Sequence, residues 1–224
     1  MTYSLVARCK RTGMFGAAVV SASPAAGARC IFAEQEVGAV ATQNLTDPAL
    51  GARTLDLMRG GAGAIESIAI LKETHPHMAW RQLLAVDRAG RSVVHSGDRV
   101  QPVAGEARAL GVACAGNLLA DRAVPQAAVA AFRDSTGHIG DRILTALRAT
   151  RDAGGALGRM HSAGLKIARD MPWPVADLRV DWTDADPIEE IALLWARYLP
   201  QLDDFVARAL DPANAPPHPD PEAG

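Results

Sequence analysis

TYSLVARC (Thr2–Cys9), KRTG (Lys10–Gly13) and MFGAAVVSAS (Met14–Ser23) decide the fold. The first segment is rich in β-forming residues, the second has the composition of a turn, and the third is another β-rich run that stops at the turn former Pro24. Two consecutive antiparallel strands follow from that order. If the first strand leaves a site from Thr2, the second returns to it, and Ser21 and Ser23 come back beside Thr2.

Beyond this hairpin, RCIFAEQEVGAVATQN (Arg29–Asn44) holds two apolar runs, read as a short strand and then a buried one with a polar end at Thr42, Gln43 and Asn44. Asp47-Pro48 has the form of an N-cap followed by proline at the first helical position, and the helix it opens stops at Gly60-Gly61. A second helix, AIESIAILKETH (Ala64–His75), carries Ile65, Ile68, Ala69 and Lys72 at helical spacing and ends before Pro76. Strands return at RQLLAVD (Arg81–Asp87), SVVHSG (Ser92–Gly97) and GVACAGN (Gly111–Asn117), with a turn at RAGR between the first two. Two helices follow, VPQAAVAAFRDS and GHIGDRILTALRATRDAGG, and then two strands, SAGLKIAR and VADLRVDW. From Pro187 an amphipathic helix gathers Ile188, Ile191, Leu194, Trp195, Tyr198, Leu202 and Phe205 on one side, with a bend expected at Pro200. The order gives an α+β chain: two antiparallel sheets with helices on their outer faces, a four-layer αββα sandwich spanning residues 1–210. DPANAPPHPDPEAG (211–224), dominated by proline and acidic residues, is expected to be a disordered tail.

At 224 residues, 49% hydrophobic, 21% charged and with a net charge of −2, the chain has a globular composition without the basic excess that phosphate backbones select, so no nucleic-acid partner is expected. Aromatics are only 4% while small residues are plentiful, so close backbone approach must supply much of the packing. Cys9, Cys30 and Cys114 are odd in number and contain no Cys-x-x-Cys, which supports neither a disulfide framework nor a zinc site and fits a reducing cytoplasm. MTYSLVARCKRTG meets charge too early for a signal-peptide core, and no apolar run approaches spanning length, so no membrane partner is expected. No cofactor is expected either, because GGAGA (60–64) lacks the lysine and preceding strand of a phosphate loop. His75 and His77 have no nearby carboxylate or cysteine to complete a metal site and read as helix-end residues.

At TYSLVAR, GMFGAAVVSAS, VGAVATQN, WRQL, GNLLA, HSAGL and DLRVDW the sequence resembles a bacterial family of unknown function assigned to the N-terminal-nucleophile hydrolase superfamily, some members of which carry fimbrial-assembly labels. The resemblance runs from about residue 2 to residue 210. It implies the αββα sandwich, an active site at one end of the two sheets and amide hydrolysis as the usual chemistry. It also puts Arg29 where related enzymes such as proteasome subunits have a basic residue beside a threonine. By order, Asn117 falls at a polar active-site loop. His161 stands where the family is expected to have glutamine, and the acid expected in the Gly-rich loop is missing from GGALGRM (154–160), leaving Asp152 as the weaker candidate.

A threonine hydroxyl is a poor nucleophile until a base takes its proton, and a residue that is itself the chain terminus has such a base in its own α-amine, with an ordinary pKa of about 7.7–8.0. Thr2 is small and follows Met1 directly, the context in which initiator methionine is trimmed; the bland alternative is that Thr2 merely begins an edge strand. Ser21 and Ser23 either hold the amine and bind substrate or serve the turn before Pro24. Backbone N–H groups from Thr42 to Asn44, with the Gln43 amide, suit an oxyanion hole, or else they satisfy the loop itself. Arg81 and Gln82 can point inward to an anionic group, or Arg81 is solvated. Asp177, Arg179 and Asp181 alternate along one strand and read as ion pairs.

These readings combine into an amidohydrolase acting on a small, carboxylate-bearing amide. Thr2 is the nucleophile, Gln43 and Asn117 support it, and Ser21, Ser23, Arg29, Thr42, Asn44 and Arg81 line the substrate site. The rival is a non-catalytic binding or assembly protein on the same scaffold, acting through the C-terminal helix. A homodimer is the default oligomer, with the stripe bounded by Trp195 and Tyr198 as its surface.

Overall fold

The computed structural model describes residues 1–217. In chain order the elements are β1 (Thr2–Arg8), β2 (Phe15–Ser21), α1 (Gly27–Cys30), β3 (Ile31–Glu34), β4 (Gly38–Gln43), α2 (Pro48–Arg59), α3 (Ala64–Thr74), β5 (Gln82–Asp87), β6 (Ser92–Ser96), β7 (Gly105–Ala109), β8 (Val112–Asn117), α4 (Val124–Asp134), α5 (Ile139–Asp152), β9 (Ser162–Ala168), β10 (Ala176–Val180), α6 (Pro187–Tyr198) and α7 (Leu202–Leu210). One sheet has six strands in the order β10-β9-β2-β1-β8-β7, the other four in the order β3-β4-β5-β6. All their pairings are antiparallel.

Strand alternation sorts the interior into three layers of contact. On β1 and β2, Val6, Ala17 and Val19 face the other sheet, where Ala39, Ala41, Leu84 and Val86 meet them. Tyr3, Leu5, Ala18 and Val20 face outward beneath α4, α5 and α6, among Phe132, Ile143, Leu147, Ile191 and Trp195. On the far side, Val40, Leu83 and Ala85 pack under Leu50, Leu55, Ile68 and Leu71 of α2 and α3. The result is the four-layer αββα sandwich. The inter-sheet layer is built largely of alanine and valine, which is how the chain does with so few aromatics. Close approach is literal at Gly164 on β9, where an added Cβ would lie 2.6 Å from the Cα of Gly27 in α1.

The helix ends follow the sequence logic. The Asp47 carboxylate accepts from the Ala49 N–H at 3.1 Å, with Pro48 opening α2. Asp186 does the same for α6, accepting from Ile188 at 2.8 Å. Pro200 does more than bend the last helix: a short 3-10 turn, Leu199–Gln201, separates α6 from α7. Trp195 is buried within this chain and donates from its indole to Asp141 at 2.8 Å, while the Tyr198 hydroxyl donates to Val175 O. Of the stripe expected to meet a second subunit, Ile188, Ile191, Trp195 and Leu202 are buried within this chain, while Leu194 is exposed.

Two elements have no clear sequence signal. β7 is an edge strand whose exposed Glu106 and Arg108 mask its alternation, and α1 is a single turn in a small-residue stretch. Of the expected tail, residues 211–217 lie beside α7, where Arg208 donates to the carbonyls of Pro216 and Pro217, and residues 218–224 lie outside the described residues. No helix among the described residues is long and apolar enough to cross a membrane.

Candidate active site at the end of the central strand

β1 is central in its sheet, flanked by β2 on one side and β8 on the other, and the register aligns Thr2 with Ser21 and with Asn117. Three chain segments remote in sequence thus bring polar side chains to one point. Thr2 Oγ1 lies 2.8 Å from Ser21 Oγ, which also donates to Met1 O at 3.1 Å and accepts from Ser23 N at 3.1 Å. Ser21 has one hydroxyl proton and spends it on Met1 O, so the Thr2 hydroxyl is the donor in their mutual bond. The Met1 carbonyl takes a second bond from Ala22 N–H at 3.1 Å. Burial lowers the pKa of the Met1 amine below its ordinary value by desolvating the charged form.

Thr2, Ser21, Ser23, Arg29, Asn44 and Asn117 line one cavity of about 300 Å³, together with Met1, Cys30, Leu45, Thr46 and Gln101. Arg29 is half-buried at its edge, and one guanidinium nitrogen spans the carbonyls of Pro24 and Ala25 at 2.6 and 3.1 Å. Asn44 fixes the opposite wall: its amide donates to Trp80 O at 2.7 Å and accepts from Gln101 N at 3.2 Å. Asn44 and Leu45 both hold left-handed backbone, at φ 54° and 47°, and the following N–H groups of Leu45 and Thr46 have no acceptor among the described residues. Cys30 Sγ stands 3.7 Å from Thr46 Oγ1; burial pushes its thiol pKa up, against the Thr46 hydrogen bond and the Arg29 charge.

Three expected site residues lie outside this lining. Gln43 is fully buried behind Thr2, where it accepts from Ser4 Oγ at 2.5 Å and donates to Gln82 Oε1 at 2.6 Å and Ala115 O at 3.1 Å. Its amide ties the two sheets together and is not presented to the cavity. Gln82 extends the chain to Ser96 Oγ at 2.9 Å and Gly116 O at 3.2 Å, and Asn117 reaches it at 3.4 Å. Thr42 points the other way and donates to Asp47 O at 3.3 Å. Arg81 donates to Leu45 O and so braces the 44–46 loop from outside the lining.

The remaining candidates are dispersed. His161 stacks on Trp182 at 4.1 Å with its Nδ1 2.8 Å from Thr183 O, and Asp152 pairs with Arg151 at 2.9 Å away from the cavity. Arg179 pairs with Asp181 at 3.3 Å, as their alternation suggests, while Asp177 bridges across to Lys166 of β9 at 3.1 Å. His75 meets Asp47 at 3.1 Å. No group of three His, Cys, Asp or Glu side chains arranged for a metal ion occurs among the described residues. Cys30, Leu45, Thr46 and Gln101 are lining residues without a sequence signal, although Cys30 adjoins Arg29.

Residues 2–191 match a family described as "Family of unknown function (DUF1028)". The chain belongs to that family. Among solved structures it is similar to a DUF1028 protein, SPO2555 from Silicibacter pomeroyi, at a TM-score of 0.84 and 26% identity, covering 91% of this chain and 89% of that one. The ancestral β-subunit Anbu from Yersinia bercovieri matches at a TM-score of 0.38 and 11% identity over 90% of this chain and 96% of the other, too slight a likeness to bear on function. No curated protein matches the chain. DUF1028 membership thus covers the strands and loops that build the cavity, and leaves the reaction open.

Proposed function

We propose that the protein is an N-terminal-nucleophile amidohydrolase in which Thr2, once Met1 is removed, attacks a small carboxylate-bearing amide. The observation that carries this reading is the Thr2 hydroxyl at the end of the central strand, hydrogen-bonded to Ser21 and opening on a polar cavity. Met1 removal frees the Ser21 hydroxyl and the Ala22 N–H that hold its carbonyl, and leaves the Thr2 α-amine beside its own Oγ1. Thr2 itself is buried, and burial favours the neutral form of an amine, the form that acts as the base.

The α-amine takes the hydroxyl proton as Oγ1 attacks the amide carbon, and the oxyanion is held by the free N–H groups of Leu45 and Thr46. The protonated amine then gives its proton to the leaving nitrogen as the C–N bond breaks, leaving a Thr2 acyl ester. Water, giving a proton to the same amine, resolves the ester to a free acid and restores the hydroxyl. Arg29, whose second terminal nitrogen has no acceptor among the described residues, supports a carboxylate on the substrate. A panel of small N-acyl amino acids tests this: wild-type protein turns over at least one member, Thr2→Ser retains turnover, and Thr2→Ala loses it. Equal turnover by wild type and Thr2→Ala would overturn the reading.

The second reading, a non-catalytic binding scaffold, draws on the docking of Met1. Besides its bonded carbonyl, its thioether stands against Gly158, where an added Cβ would lie 2.8 Å from Sδ. A protein that keeps Met1 and binds a ligand in the same cavity without turnover fits that reading.

A further inference from the structure

β1 carries Thr2 at one end and Arg8 at the other. At the Arg8 end, the β1–β2 turn, the β5–β6 turn, the β7–β8 turn and the α4–α5 connection converge. Arg8 N–H bonds to Gly111 O at 2.8 Å, and Gly111 N–H to Gly90 O at 2.7 Å, which fixes three of these four segments against one another. Between them lies a cleft of about 530 Å³, within the range of about 300–1,000 Å³ usual for small-molecule sites.

Its lining holds Arg8, Lys10, Arg11, Arg133 and Arg142, and no carboxylate. None of the five is in an ion pair among the described residues, although the whole chain has a net charge of −2 and pairs many of its other arginines. Arg142 is held in place by Phe132: its guanidinium lies 4.1 Å over the ring and donates to the backbone carbonyl at 2.9 Å. The Nε atoms of both Arg8 and Arg142 are buried without a hydrogen-bond partner. Two carboxylates stand near the rim. Asp134 follows Arg133 and is exposed, and Asp141 already accepts the Trp195 indole N–H at 2.8 Å. Cys9 in the cleft wall responds to the same surroundings. Burial raises its thiol pKa, but hydrogen bonds from Thr12 and Arg11 and the Arg142 charge outweigh that and bring it below the ordinary value.

Arg8 is shared with a neighbouring cavity, its guanidinium 6.0 Å from the Phe15 ring, but Lys10, Arg11, Arg133 and Arg142 are four further unpaired cations around one concavity; they repel one another and call for an anionic occupant. We infer that this cleft binds a small polyanion of the oligophosphate class, a site separate from the Thr2 cavity and independent of its chemistry. Guanidinium groups match phosphate oxygens with paired N–H donors, and several of them distributed round a cleft favour a ligand with charges on more than one centre. A single phosphate engages only part of the set.

Isothermal titration of the full-length protein with inorganic tripolyphosphate at low salt tests the site. Arg11 and Arg133 are exposed and outside the hydrogen-bonded framework, so the double variant Arg11→Gln/Arg133→Gln keeps the fold, which thermal melting checks. Saturable one-to-one binding is expected, weakened by about tenfold or more in the double variant and again at physiological salt, where the Debye length is about 8 Å. Orthophosphate is expected to bind more weakly, and Thr2→Ala to bind tripolyphosphate like the wild type. The inference is overturned if wild type shows no saturable binding. It is also overturned if the double variant binds unchanged, or if Arg53→Gln/Arg197→Gln, which removes two exposed arginines elsewhere, weakens binding equally.

Discussion

Replacing Gln43 by methionine removes the amide that joins the two sheets behind Thr2 while keeping side-chain length and most of its volume. In the wild type that amide accepts from Ser4 Oγ and donates to Gln82 Oε1 and Ala115 O, all in a region closed to solvent. The substitution leaves Ser4 and the Ala115 carbonyl without these partners and leaves Gln82 Oε1 only the long contact to Asn117 at 3.4 Å. A buried polar group stripped of its partner costs about 1–3 kcal/mol, so three such groups, partly relaxed, bring the expected loss to about 3–5 kcal/mol. A domain has only about 5–15 kcal/mol in total, and the variant should sit near the edge of folding. Urea denaturation followed by circular dichroism reads the effect. With a slope of about 2–3 kcal/mol/M, the midpoint should fall by about 1–2 M with the slope unchanged. Gln43→Ala should lose at least as much, since it adds a cavity. A Gln43→Met protein within about 0.5 kcal/mol of wild type would refute the view that this network braces the Thr2 end of the sheets.

Trp195→Ala should destabilise by about 3–5 kcal/mol in the same assay, because the ring is buried against Gly140 and its N–H bonds to Asp141 at 2.8 Å; a loss below about 1 kcal/mol would contradict the packing of α6. Glu189 has its pKa pulled down to about 2 by hydrogen bonds from Arg148 and then Arg151, so its stabilisation is present above the ordinary carboxylate pKa of about 4.3 and is lost as pH falls toward 2. These side chains are 38–45% exposed, so Glu189→Gln should cost no more than about 1 kcal/mol at pH 7, with the difference from wild type vanishing near pH 2 in urea melts. Amide turnover should rise with pH as the Thr2 amine loses its proton, because the neutral amine is the base; a rate that falls over that limb in stopped assays would contradict the assignment.

Much of the fold is legible in the chain because its hairpins obey period-two alternation and two of its helices, α2 and α6, begin at Asp-Pro caps. The Thr2–Ser21 pairing comes from counting alone, since a short hairpin between two strands of equal length must bring their far ends together. Gln43 and Arg81 show where such counting stops. β4 and β5 are buried on both faces, so apolar residues occur at both parities and nothing in the sequence marks which parity faces the other sheet. Gln43 shares the inter-sheet face with Ala39 and Ala41, and Gln82 shares it with Leu84 and Val86, while Arg81 takes the opposite parity. The lining by Leu45 and Thr46 depends on left-handed backbone at a leucine, which residue type does not announce. The basic cleft is equally silent in composition: its five cations come from two distant segments, and a net charge of −2 conceals their meeting.

The most direct test of Thr2 as nucleophile is the intact mass and N-terminal sequence of protein that is turning over an amide. If the reaction runs as proposed, the active molecules lack one methionine, begin with threonine, and acquire the mass of the acyl group when trapped with a slowly released substrate. Active protein that still carries Met1 on the Thr2 nitrogen would contradict it.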